Sequence, residues 1–178
     1  ITMMPKLGPE RPAMFIVDGR EMKDNLLRER LILSNYDRRA LSSGGGSSYD
    51  YKFPRMSNHY FNATFIANES EIFYNAEIRK SGSPFTRDGG SSLAHGKWKL
   101  PGDRLFRERR RNVFDASGTS EGSGTPRFYD DRIARHFLYQ LGHPVNEMEY
   151  VHFAVNGDAF KLRENHEPIS NDFLNRNF

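Results

Sequence analysis

From Tyr60 the chain alternates with a period of two: Asn62, Thr64 and Ile66, then Ile72, Tyr74, Ala76 and Ile78 set against Glu71, Phe73, Asn75 and Glu77. Turn-forming residues from Asn68 to Ser70 separate the two runs, so the pattern predicts an antiparallel pair of strands. Lys97 to Leu100 reads as a third strand, after a Gly/Ser-rich loop over 81–96. The period then changes. From Tyr129 to Leu141, Ile133, Phe137, Leu138 and Leu141 fall on one helical face, with Asp130 at the start and Gly142 and Pro144 at the stop. Tyr150 to Val155 and Ala159 to Arg163 flank Asn156-Gly157, a strong hairpin signal. A connector with Pro168 follows, and a helix begins at Ser170. Upstream, Met14 to Val17 suits a short strand, Asp24 to Leu33 has Leu26, Leu27, Arg30 and Leu31 at helical spacing, and SSGGGSS (42–48) reads as a flexible loop. The expected class is α+β, an antiparallel sheet with one packed helix.

Composition narrows this picture. The chain has 178 residues, enough for one domain, with 37% hydrophobic and 13% aromatic residues to supply a core. No 18-residue apolar run occurs, so no transmembrane helix is expected. Lys and Arg number 26 against 23 Asp and Glu, a formal charge of +3 that suits an anionic ligand without requiring one. The lack of Cys excludes disulfides, thiolate catalysis and zinc-thiolate sites. Ile1 at one end and a helix just begun at the other lead us to expect a fragment.

IARHFLYQLGHPVNEMEYVHFAVNGDAFKLRENHEP (133–168) resembles the CotH family, the kinase-like spore-coat proteins, in its helix, its Gly-Pro break, its Tyr-Val-His strand and its Asn-Gly hairpin. FYNAEIRKSGSPFTR (73–87) is similar to that family's Arg-x-x-Gly-Ser element, and ENHEPISNDFLNRNF (164–178) to its next connector and helix. The resemblance implies a small β-rich lobe of a protein-kinase-like fold, truncated before the large lobe. It divides the chain into an N-terminal extension (1–57), the small lobe (58–164), and a hinge with the start of the large lobe (165–178). It further implies ATP with Mg as cofactors and phosphoryl transfer to Ser or Thr of a protein substrate by the full-length parent. The catalytic and metal-binding carboxylates are expected beyond Phe178, so no residue here is assigned catalysis or metal. The alternative is a non-catalytic surface or coat scaffold.

Phosphate binding needs cations and exposed backbone N–H groups. Arg79, Gly82, Ser83 and Arg87 offer both within nine positions, and Lys97 and Lys99 reach the same place from the next strand. Their bland reading is a solvated hairpin end. Arg163 and Glu164 close the second hairpin strand, where they would orient nucleotide or merely end the strand, and the backbone of 164–166 is the expected adenine contact. Asp131 is a weaker expected partner for a strand lysine, since first-turn acids are favoured by the helix dipole alone. Neither GxGxxG nor GxxxxGK[ST] occurs. RLFRERRR (104–111) carries five arginines but only Phe106 for stacking, and nearby acids dilute it, so a phosphate-facing or solvated loop is preferred to nucleic-acid binding. The six histidines show no ligand spacing, and His152 reads as structural.

Overall fold

A computed structural model describes residues 2–3, 14–15, 24–43, 58–81, 95–116 and 129–178. Thr2–Met3 (β1) and Met14–Phe15 (β2) form a small antiparallel pair. The other strands are Leu27–Ile32 (β3), Phe61–Ala67 (β4), Glu71–Lys80 (β5), Gly96–Lys99 (β6), Arg111–Asp115 (β7), Met148–Val155 (β8) and Lys161–His166 (β9). They close into a barrel in the order β3-β4-β5-β6-β7-β9-β8. Three short helices accompany it: Asn35–Ser43 (α1), Asp130–Gln140 (α2) and Asn171–Asn177 (α3).

The expected sheet with one packed helix is therefore incorrect: the protein is a closed, seven-stranded mixed barrel. The physical reason is the parallel pairing of β3 with β8, which joins the two ends of the sheet and turns its apolar face onto itself. A closed sheet needs no helix to cover that face. Accordingly α2 buries none of its residues, and Ile133, Phe137, Leu138 and Leu141 are all exposed. The likeness to a kinase small lobe falls with the sheet.

The strand β3 occupies most of the helix expected over 24–33. Leu27, Glu29, Leu31 and Leu33 are buried on alternate positions. Glu29 in the middle breaks the apolar alternation and leaves Leu27 and Leu31 four apart, which mimics a helical stripe. Helix α1 begins just after it. Ser34 caps it, accepting a bond from the Asp37 backbone N–H at 3.0 Å and donating to the Asp37 carboxylate at 2.8 Å.

The paired runs at 61–80 are the expected hairpin, with Asn68 and Glu69 both left-handed in the turn. Alternation in β5 slips at Asn75, whose φ is 59°, opposite a register shift between Ala63 and Phe65. Phe73 thus points inward with Ala76 and Ile78, while Ile72 and Tyr74 are exposed. The β6 strand, α2 as an element, the Asn156 hairpin and the start of α3 at the Ser170 cap all lie where the pattern put them.

Aromatic side chains fill the barrel. Phe65 stacks on Trp98 at 4.5 Å, Phe73 and Phe106 close around them, and Phe114 stacks on Phe153 at 4.2 Å. Gly96 makes room for this: a Cβ there would lie 2.1 Å from the Phe114 ring. Polar groups share the interior. Asn165 donates to Glu29 at 2.5 Å, and Asn112 and Arg163 are buried.

Candidate functional site

Side chains alternate across a strand, so residues that do not enter the barrel form its outer wall. On β5 these are Glu77 and Arg79, on β6 Lys97 and Lys99, and on β7 Arg111, Val113 and Asp115. The register sets Arg79 beside Lys97 and Lys97 beside Val113, with Glu77, Lys99 and Arg111 in the next row. The turn before β7 adds Arg110, and residues 168–172 leading into α3 make the facing wall. Together they enclose a cleft of about 670 Å³.

Five cations line it, namely Arg79, Lys97, Lys99, Arg110 and Arg111, against one lining carboxylate, Asp172. Arg110 grips Asp172 through Nη2 at 2.8 Å and Nε at 3.2 Å, which anchors α3 and holds the Asp172 carboxyl below its usual range. Lys99 is paired with Glu77. Arg79 donates to Asn58 at 2.6 Å, and its guanidinium lies 5.3 Å from the Tyr60 ring, which also carries the Lys99 ammonium at 4.4 Å. Arg79, Lys97 and Arg111 have no carboxylate at ion-pair distance among the described residues. Positive charge in this cleft is consequently in excess.

Farther around the same wall the chemistry changes. Asp115 pairs with His95 at 2.7 Å and stands in register with Glu164, which is in register with Tyr150. Polar residues of α2 reach this region, with Arg132 6.0 Å from the Tyr150 ring. Burial, then the charges of Asp131 and Asp115, push Glu164 up to about 7, against the pull of Arg135. Burial and Arg135 push His166 down. Asp131 thus acts on a carboxyl and an imidazole, and no ion pair joins it to Lys97.

Of the residues expected to bind a nucleotide, Arg79, Lys97 and Lys99 meet in one cleft. Gly82, Ser83 and Arg87 lie outside the described residues. Glu164 is on the outer wall but turned toward α2, two strands from Lys97. Arg163 is inside the barrel, in register with the core residue Val151. The backbone of 164–166 pairs with β7 on one side and β8 on the other, so a base finds no free strand edge there. Sequence reasoning passed over Tyr60 and Asp172 as cleft residues and had Arg110 and Arg111 only as part of a phosphate-facing or solvated loop. For Arg111 a signal existed: it ends RLFRERRR and begins a strand, where alternation turns it outward.

No protein-family model matches the chain, and no curated protein matches it. Among the described residues no helix is long and apolar enough to cross a membrane.

Proposed function

We propose that the outer cleft of β5, β6 and β7 binds the phosphate groups of a nucleotide, ATP as the CotH resemblance implies, in a protein serving phosphoryl transfer to Ser or Thr of a protein substrate. The observation that carries this reading is the convergence of Arg79, Lys97, Lys99, Arg110 and Arg111 on one cleft with a single lining acid. Arginine and lysine side chains neutralise phosphate oxygens as charge-assisted hydrogen bonds, each worth about 1.5–3 kcal/mol. A volume near 670 Å³ lies within the range of nucleotide-sized sites.

The cleft does not fit a divalent cation by itself. Its one carboxylate is committed to Arg110, and among the described residues no three His, Asp or Glu side chains gather as a metal site. We therefore assign these residues phosphate binding and derive no transfer step from them.

Calorimetric titration with ATP tests the assignment. Saturable binding is expected, weakened at least about tenfold by Lys97→Gln and by Arg111→Gln, and competed by tripolyphosphate. Both variants alter exposed or half-buried side chains and should leave the melt unchanged. Binding that ignores both substitutions, or none in the millimolar range, removes the proposal.

A further inference from the structure

Helix α2 is amphipathic with its faces reversed. Its polar side leans on the barrel: Arg132, Arg135 and His136 line the cleft between the helix and the start of β8, Arg135 donating to the Asn146 carbonyl at 3.2 Å and Arg132 lying 6.0 Å from the Tyr150 ring. Its apolar stripe points away. Ile133, Phe137 and Leu141 recur every four residues with Leu138 beside them, and they are 51%, 62%, 73% and 44% exposed. The barrel closes around its own lining, so among the described residues the fold itself makes no use of this stripe. A helix this short is marginal in water without tertiary packing, and contiguous exposed apolar surface marks an interaction site.

We infer that the stripe is the contact between two copies of this chain, paired antiparallel through α2 about a two-fold axis at Phe137. Area supports a dimer of modest strength. At these exposures the four side chains offer about 500 Å² of apolar surface per copy, so two copies joined there bury about 1,000 Å², the lower limit for a specific association. The inference does not rest on nucleotide binding in the outer cleft.

Charge selects the occupant and the direction. The acids Asp130 and Asp131 stand in the first turn at the border of the stripe, while the arginines of α2 turn toward the barrel. A helix lying on a membrane surface carries the opposite arrangement, with Lys and Arg flanking its apolar face to meet anionic lipid. Parallel pairing of two copies would set the acids against their counterparts. Antiparallel pairing places the two Asp130 roughly 20 Å apart, well past a screening length of about 8 Å, and brings each beside the other copy's His143. In this register Ile133 meets Leu141 and Phe137 meets itself, which satisfies the self-complementarity of a two-fold interface.

Sedimentation equilibrium of the whole chain between about 1 and 500 μM tests this, with a monomer–dimer equilibrium expected at a Kd of about 10–100 μM. Phe137→Glu should raise that Kd at least about tenfold while leaving the melt of dilute protein unchanged, because the side chain it replaces is exposed. Ile133→Lys and Leu141→Glu should each weaken association as well. An equimolar mixture of those two variants should recover it as a heterodimer, since the antiparallel register sets the opposite charges against each other. If Phe137→Glu fails to fold, this pair decides alone. A chain that is monomeric at the highest concentration, or a dimer indifferent to all three substitutions, overturns the inference. A mixture no more associated than its components overturns the antiparallel register. Flotation of a monomeric chain with phosphatidylserine-containing vesicles, abolished by Phe137→Glu, assigns the stripe to lipid and overturns the dimer.

Discussion

Glu29 is a carboxyl in the middle of a barrel. Burial, reinforced by the charge of Glu149, pushes it up to about 8, while Arg109 and Arg107 pull the other way. Asn165 donates to one oxygen, and the other is bare. Trp98 lies close enough to favour the charged form weakly, yet its indole nitrogen makes no hydrogen bond of normal geometry. Glu29 is thus protonated in the folded protein at neutral pH. Its folded pKa exceeds the unfolded one, near 4.5, so the folded state holds the extra proton between those values. Stability contributed by the neutral form is complete below about 4.5 and declines as pH rises toward about 8, by at most about 1.4 kcal/mol per pH unit. Glu29→Gln keeps the acceptor for Asn165 and removes the titration. Chemical denaturation from pH 5 to 8 should show a falling stability in the parent and a flatter one in the variant. The residual slope combines Glu164, whose raised value lowers stability as pH climbs toward about 7, with His166, whose depressed value raises stability as pH climbs through the ordinary histidine range.

At the scale of elements, legibility followed the local signals. The β4–β5 and β8–β9 hairpins were readable because their turns carry their own chemistry, and α2 because its stripe and its Gly142-Pro144 stop agree, although its N-cap is Tyr129 rather than Asp130 and carries no side-chain cap bond. The role of α2 was not readable, since an apolar stripe does not say whether anything covers it. The strand β3 was missed because its central inward residue is Glu29, and its identity depends on partners more than a hundred residues away. Asn156 shows how such partners are joined. It is left-handed, its side chain accepts from the Leu33 N–H at 2.8 Å, and its own N–H reaches the Leu31 carbonyl at 2.7 Å. Arg30 completes the junction, donating to the Asn156 carbonyl at 3.0 Å and to Glu69 at 2.8 Å. Asn156→Ala would strand the Leu33 N–H and force alanine into a left-handed backbone. A loss of about 2–4 kcal/mol is expected in urea unfolding, with binding in the outer cleft unchanged.

For the whole molecule, the cations of the candidate site were legible as residues and not as a site. Composition and spacing singled out Arg79, Lys97 and Lys99, and a strand register was needed to set them beside Arg111. Glu164 and Arg163 are neighbours in sequence on opposite faces of one strand, so a claim that joined them could not survive the pleat. Closure is what orders these faces. Shortening the chain to begin after Leu33 would strip β3 from between β4 and β8 and leave two bare edges. Such a chain is expected to lose its cooperative thermal transition by circular dichroism and to self-associate by light scattering.

The parallel seam between Leu27–Leu31 and Val151–Val155 also sets a clock for biosynthesis. Hairpins such as β4–β5 can zip as soon as they leave the ribosome, but the seam must wait until Val151–Val155 has been made. Until the seam forms, β3 lacks its parallel partner and the aromatic lining has no closed wall around it, so the β8–β9 hairpin is what completes the interior.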